Sequence, residues 1–114
     1  MQAELIAVYT TVADPAVARE LARAAVDARL AACVQIEPVQ SIYRWDGAVQ
    51  SEPEQRLMFK STLAMYAELQ QFILARHPYE LPAVYAVPVA QASPAYAGWV
   101  ARSVRVGGVT PETP

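Results

Sequence analysis

Apolar residues along the chain fall into short runs, and three of these runs predict strands. Residues 5–11 and 83–89 carry apolar side chains in both parities, the pattern of a strand that is covered on both faces. Residues 33–43 are also strand-like, but Pro38 removes one ladder donor from their middle. We therefore expect that segment to form either an edge strand or a strand with a bulge.

A hairpin is expected after residues 33–43, because Asp46-Gly47 follows them and is typical of a two-residue turn with positive φ. After residue 50, polar positions alternate with Leu57 and Phe59, which predicts a return strand with one buried face. The outer half of this hairpin is polar, so we expect it to project beyond the core.

Three segments have apolar residues at helical spacing, and each follows a residue type that caps helices. They are residues 15–30 after Asp14, a segment that begins after Ser61 or Thr62 and ends at Pro78, and a short segment opened by Ser93-Pro94.

The resulting order is β-α-β-β-α-β with a terminal helix, which predicts an α+β fold of the ferredoxin-like, split βαβ type. Its antiparallel sheet carries the two main helices on one face. Because the first and last strands are apolar in both parities, the other face also needs a cover, and we expect copies of the chain to supply it. Residues 1–105 form one domain in this interpretation, and residues 106–114 form a loosely ordered tail.

The composition argues against a nucleic-acid-binding protein and against a membrane protein. The 114 residues are 54% hydrophobic and 18% charged, with a formal net charge of −2, so a nucleic-acid partner is not expected. No apolar run is long enough to span a membrane, and the N-terminus does not resemble a signal peptide. With a single cysteine, Cys33, the chain fits a reducing compartment, and we expect it to be cytoplasmic.

Few side chains can carry chemistry. His77 is the only histidine, Cys33 the only cysteine and Lys60 the only lysine. His77 precedes Pro78 and is either a helix C-terminal cap or a ligand. Cys33 is either a small buried hydrophobe or a ligand, and Lys60 either reaches solvent from a strand end or faces a cavity. The sequence has no local chelating pair, so the metal signal from spacing is weak, and it has no Walker loop or GxGxxG motif for a nucleotide. Because so few side chains can titrate, catalysis is not expected.

Several motifs in the same order closely resemble the CutA divalent-ion tolerance family over about residues 5–102. They are Leu30-Ala31-Ala32-Cys33-Val34, residues 41–47, Glu54, Lys60-Ser61-Thr62, residues 77–82, Pro88, Tyr96 and Trp99.

An isolated two-stranded extension is only marginally stable in water, so we expect Trp45 and the following turn to lie at a subunit interface. The resemblance implies a homotrimer of ferredoxin-like subunits whose hairpins wrap their neighbours. It also implies tolerance of divalent cations and binding of a metal such as Cu(II), with no obligatory cofactor. By position, the metal ligands would be His77, Glu54 and Cys33, and the cleft residues would be Tyr43, Trp45, Lys60 and Tyr79.

Two departures from the family pattern reduce the expected metal affinity. Thr10 stands where some members have a cysteine, and Ala83 where members usually have a glutamate. We therefore expect Cu(II) to bind weakly and mainly through His77, with help from Glu54. Two alternatives stay open. One is a PII-like module that binds a small anionic ligand at Lys60 in the cleft between subunits. The other is an enzyme that uses His77 as acid or base with Glu54 as its partner.

Overall fold

The computed structural model describes residues 3–105 as one α+β unit. Its elements are β1 (Leu5–Val12), α1 (Pro15–Asp27), β2 (Cys33–Trp45), β3 (Ala48–Thr62), a 3-10 turn (Leu63–Met65), α2 (Tyr66–Arg76), β4 (Tyr85–Pro88) and α3 (Pro94–Ser103). The predicted element order is confirmed. The tail predicted over residues 106–114 lies outside the described residues.

The four strands form one antiparallel sheet in the order β2-β3-β1-β4. This is the strand order of the split βαβ arrangement. Val8 pairs with Phe59 and both point toward α1 and α2, where they join the main core. The two helices thus cover one sheet face, as expected.

The opposite side, which we call the second sheet face, carries Ala7, Tyr9, Met58, Tyr85 and Val87. Tyr9 and Tyr85 stack there with ring centroids 5.5 Å apart, and the Tyr9 hydroxyl donates to Met58 Sδ at 3.2 Å. Tyr85 and Val87 are 49% and 45% exposed. Large apolar side chains on this face are therefore in contact with solvent in the single chain.

The third helix lies on the second sheet face but reaches only one end of it. Ala97 and Val100 of α3 pack against Leu5 at the start of β1. Leu5 has the opposite parity from Val8, so this contact places α3 across the sheet from α1 and α2.

The hairpin turn has the backbone that its sequence predicts. Asp46 and Gly47 have φ values of 52° and 77°, which makes the turn type I′. Residues 39–45 of β2 and 48–54 of β3 pair only with each other, because β1 contacts β3 no further than Gln55. The hairpin thus extends past the rest of the sheet, and the molecule is 49 Å long.

The pairing of β2 with β3 shows whether Pro38 lies in a bulge or in an edge strand. The β2–β3 pairing continues without interruption from Cys33 opposite Lys60 to Trp45 opposite Ala48, so there is no bulge. β2 lies at the sheet edge, where a residue without a backbone N–H is tolerated.

The first helix is shorter than predicted. α1 ends at Asp27 rather than near residue 30, and Arg29 follows with a φ of 60°. Leu30 and Ala31 are 2% and 1% exposed, and the chain must leave the helix to place them in the core.

The predicted cap of the second helix is wrong. Ser61 and Thr62 are the last residues of β3, and neither caps a helix with its side chain. The buried Ser61 hydroxyl instead donates to the Leu30 carbonyl oxygen at 2.7 Å. The fourth strand is also shorter than expected, since only Tyr85–Pro88 pairs with β1. Within residues 3–105, no helix is long and apolar enough to cross a membrane.

Candidate functional site

Two groups of the predicted site residues lie at separate places along β3. The first, the Glu54–His77 corner, comprises Glu54, His77, Tyr79 and the carbonyl oxygen of Thr11. α2 ends at Arg76, and His77 then adopts an extended backbone with φ −79° and ψ 134°. This brings His77 against the end of β1 and Tyr79 against β3.

Both ring nitrogens of His77 have partners in the corner. Nε2 lies 2.9 Å from the Thr11 carbonyl oxygen, and the Tyr79 backbone N–H donates to Nδ1 at 3.1 Å. A backbone N–H can only donate and a carbonyl can only accept, so Nδ1 carries no proton and Nε2 carries one. The geometry therefore requires a neutral imidazole.

Burial lowers the pKa of His77 below its usual 6.5, against smaller opposing effects of the Thr11 hydrogen bond and the Glu54 charge. Desolvation penalises the charged form of the ring. Desolvation and the hydrogen bond from the Tyr79 N–H thus favour the same neutral state. Of the two possibilities for His77, the structure supports the first in part: it is the residue at the C-cap of α2, but its ring contacts β1 rather than helix carbonyls.

Glu54 is the buried acid of the corner. It is 6% exposed, and the Tyr79 hydroxyl donates to its Oε2 at 2.5 Å. Among residues 3–105, no ion pair to Glu54 is present. Burial raises the pKa of the Tyr79 hydroxyl, and the bond to Glu54 raises it further, so Tyr79 remains a donor throughout the ordinary pH range. One hydrogen bond leaves most of the carboxylate's acceptor capacity unused.

The second group lies at the other end of β3, where Cys33 pairs with Lys60. Lys60 is six residues from Glu54, a separation of about 20 Å at about 3.3 Å per strand residue. Cys33 is half-buried and has the parity of the second sheet face. Within one subunit, Cys33 is therefore far from Glu54 and His77.

Lys60 faces a cavity, which was one of the two possibilities left open. Its Nζ lies 3.4 Å from the Tyr96 hydroxyl and 5.6 Å from the centre of the Tyr96 ring. The cavity has a volume of about 270 Å³. The sequence did not reveal that Tyr96 approaches Lys60, because the two residues lie on different elements.

Tyr43 and Trp45 lie on the projecting part of the hairpin, 42% and 43% exposed. Their positions on β2 share a sheet face with Glu54, since Val39, of the same parity, pairs with Glu54. They extend the surface beside the corner, and another chain could reach them.

A metal site is not complete within the described part of one chain. Across residues 3–105, no three His, Cys, Asp or Glu side chains lie close enough together to hold a metal ion. The structure does bring His77 and Glu54 together through Tyr79, and the Thr11 carbonyl beside them is an oxygen that the sequence gave no reason to include. The three-residue ligand set of His77, Glu54 and Cys33 stays a prediction.

Comparison with known proteins shows the family. The CutA1 divalent ion tolerance protein family matches residues 6–103. This chain belongs to that family. The divalent-cation tolerance protein CutA of Thermus thermophilus is 42% identical over 94 residues, which cover 82% of this chain and 91% of that protein. Mouse protein CutA is 41% identical over 95 residues, and they cover 82% of this chain.

The chain spans about half the length of some relatives, with 54% of the mouse protein and 56% of the chloroplastic CutA of Arabidopsis thaliana covered. Solved CutA structures have the same fold. CutA from Synechococcus elongatus superimposes with a TM-score of 0.87 at 42% identity, covering 92% of this chain and 95% of that one. CutA1 from Oryza sativa gives 0.88 at 33% identity, covering 91% and 96%.

Proposed function

We propose that the protein functions in divalent-cation tolerance as a homotrimer that binds a divalent metal ion such as Cu(II). Family membership supports the general role, and the Thermus relative carries that role in its name. The metal is a bound ion in this proposal and not an obligatory cofactor.

The observation that carries the proposal is the buried Glu54 carboxylate. Burying a carboxylate without a cation is costly, and a divalent cation would offset that cost. Carboxylate and imidazole are both ligands for divalent first-row metals, and Tyr79 contacts His77 with its backbone N–H and Glu54 with its hydroxyl. The remaining ligands would come from water or from a neighbouring subunit, since one chain supplies too few.

His77 limits the affinity. To bind a metal through Nδ1, the ring must give up the Tyr79 N–H, and to bind through Nε2 it must move its proton to Nδ1 and lose both contacts. Losing one hydrogen bond costs about 1 kcal/mol. This cost supports the expectation of weak Cu(II) binding. It also argues against the enzyme alternative, because a general base needs an available ring nitrogen.

The test is isothermal titration of Cu(II) into the full chain at pH 7.5. We expect weak binding that falls at least tenfold in Glu54→Gln and in His77→Ala. Gln keeps the acceptor for Tyr79 but removes the charge, and Glu52→Gln is the matched control because Glu52 is exposed and two positions away. Sub-micromolar binding that survives both substitutions would place the metal elsewhere.

We also propose a cytoplasmic location, supported by a lone cysteine that fits a reducing compartment. Relatives differ here, since one is named chloroplastic and the Archaeoglobus fulgidus structure is described as periplasmic. Cell fractionation of the source organism with an antibody against the chain tests the location.

A second candidate function is the PII-like module that binds a small anion at Lys60. It is favoured by one observation: within residues 3–105, the Lys60 ammonium has no ion pair, and its one polar contact is the Tyr96 hydroxyl. A lysine without a carboxylate partner beside a cavity is suited to neutralising a bound anion.

A further inference from the structure

We propose that the cavity beside Lys60 binds a small monocarboxylate with an unbranched apolar tail. This inference rests on the second candidate function, and it adds both the ligand class and a location within one subunit. The cavity lies between α3 and the adjoining ends of β1 and β3. Its wall includes Leu5, Lys60, Ser61, Ser93, Tyr96 and Val100.

The polar groups of the cavity suit a single negative charge. Lys60 is the one cation in its wall, and no acidic side chain from residues 3–105 lines it. The Tyr96 hydroxyl lies beside the ammonium and can donate to a second oxygen of the same anion. Ser93, the N-cap of α3, is also in the wall, so the positive end of a ten-residue helix adds to the field.

One lysine matches the charge of a carboxylate better than that of a phosphate, which carries more than one negative charge on average at neutral pH. Ser61 adds no further charge, and its hydroxyl is already committed to the Leu30 carbonyl. These groups therefore select for a monovalent anion.

Most of the other wall residues of the cavity are apolar, and they continue outward. Leu5 and Val100 are 8% and 1% exposed, so they form a fixed hydrophobic surface. A neighbouring groove of about 430 Å³ shares Leu5 and Val89 with the cavity and extends toward Leu63 and Pro88, and Glu4 also lines it. The negative charge of Glu4 favours a ligand whose carboxylate stays at the Lys60 end. A tail could thus run from the Lys60 end into this groove.

The cavity and the adjoining groove together have room for a short alkyl chain. The cavity alone, with a volume of about 270 Å³, is large enough for a carboxylate with several methylenes. Hexanoate and octanoate are of this size. Acetate would engage the lysine but leave the apolar walls uncovered.

The experiment is calorimetric titration of the full chain with acetate, butanoate, hexanoate and octanoate, and with inorganic phosphate and hexanol as further probes. We expect affinity to rise up to about fourfold for each buried methylene, and phosphate to bind no better than acetate. Lys60→Met, which keeps the length of the side chain, should weaken hexanoate at least tenfold and leave hexanol unchanged. Tyr96→Phe should weaken hexanoate severalfold.

Arg44→Met is the matched control, because it removes one positive charge from an exposed position on the hairpin. Circular dichroism of each variant separates lost binding from lost folding. If acetate, phosphate and octanoate all bind equally and depend on Lys60, the small-anion function stands and the tailed ligand is wrong. If no carboxylate binds, or if Lys60→Met binds hexanoate as the native protein does, the cavity site is wrong and the small-anion function loses its support at Lys60.

Discussion

His77 couples the folded state to pH through the two hydrogen bonds of its ring. The neutral ring accepts from the Tyr79 N–H, and protonation of Nδ1 would remove that bond. The folded-state pKa lies below the ordinary 6.5, so the unfolded chain binds more protons than the folded chain near pH 6. The stabilisation is therefore complete above about pH 6.5 and is lost as pH falls through the folded-state pKa.

We accordingly expect the free energy of unfolding in urea to decrease between pH 7.5 and pH 5, and to do so less in His77→Gln. His77 is the only histidine, so no other side chain has its ordinary pKa in that range. An equal pH dependence in the variant would show that another group is responsible.

Thr10 provides a second test at a single residue. Its side chain is 1% exposed, and its hydroxyl has no hydrogen-bond partner among the described residues. Thr10→Val has nearly the same shape and removes the unsatisfied group, so we expect it to stabilise the fold by about 1 kcal/mol. Ser61→Ala is the contrasting control, because Ser61 is equally buried but bonded to Leu30 and should destabilise. The test is the free energy of unfolding of the two variants in urea. A lower value for Thr10→Val than for the native protein would contradict this prediction.

At the scale of elements, the hairpin depends on its two-residue turn. Gly47 has a φ of 77°, where a β-branched residue is strained, and a Cβ there would meet no atom within 4 Å. Gly47→Val should therefore act through the backbone alone, lowering the melting temperature and weakening assembly. Gly47→Asn is the matched control, because asparagine tolerates positive φ. Sedimentation and thermal melts that are unchanged in Gly47→Val, or equally affected in both variants, would contradict this mechanism.

Local signals in the sequence were sufficient for the order of the elements but not for their ends. The Asp14 carboxylate caps the backbone two residues on, and the Asp46-Gly47 turn acts through its own backbone; both are where they were predicted. Ser61 was misassigned as a cap, because its partner, the Leu30 carbonyl, is distant in sequence. The same limit applies to the site. His77 and Lys60 could be predicted as site residues because each is the only one of its type. Their contacts could not be predicted, because His77 contacts Thr11 and Lys60 contacts Tyr96, which lie on other elements.

At the scale of the whole molecule, the surfaces left uncovered by one chain predict the assembly. Tyr85 and Val87 are exposed on the second sheet face, and Ile42 and Val49 are 72% and 63% exposed on the hairpin. Two separate apolar surfaces suit a closed ring, in which each copy contacts two others. Glu54 lies where the hairpin leaves the sheet, so a neighbour that covers the hairpin would also approach the Glu54–His77 corner.

We therefore expect a homotrimer, with a sedimentation-equilibrium mass three times the chain mass of 12.4 kDa at micromolar concentration. Val87→Lys should shift the mass toward that of one chain, because it puts a charge on the second sheet face where copies would meet. Its side chain is already 45% exposed in the single chain, so the subunit fold should survive, as circular dichroism can verify. Gln71→Lys adds the same charge on the outer side of α2 and should leave the trimer intact. A native mass of 12.4 kDa would rule out the trimer, and a trimer unaffected by Val87→Lys would place its interface away from the second sheet face.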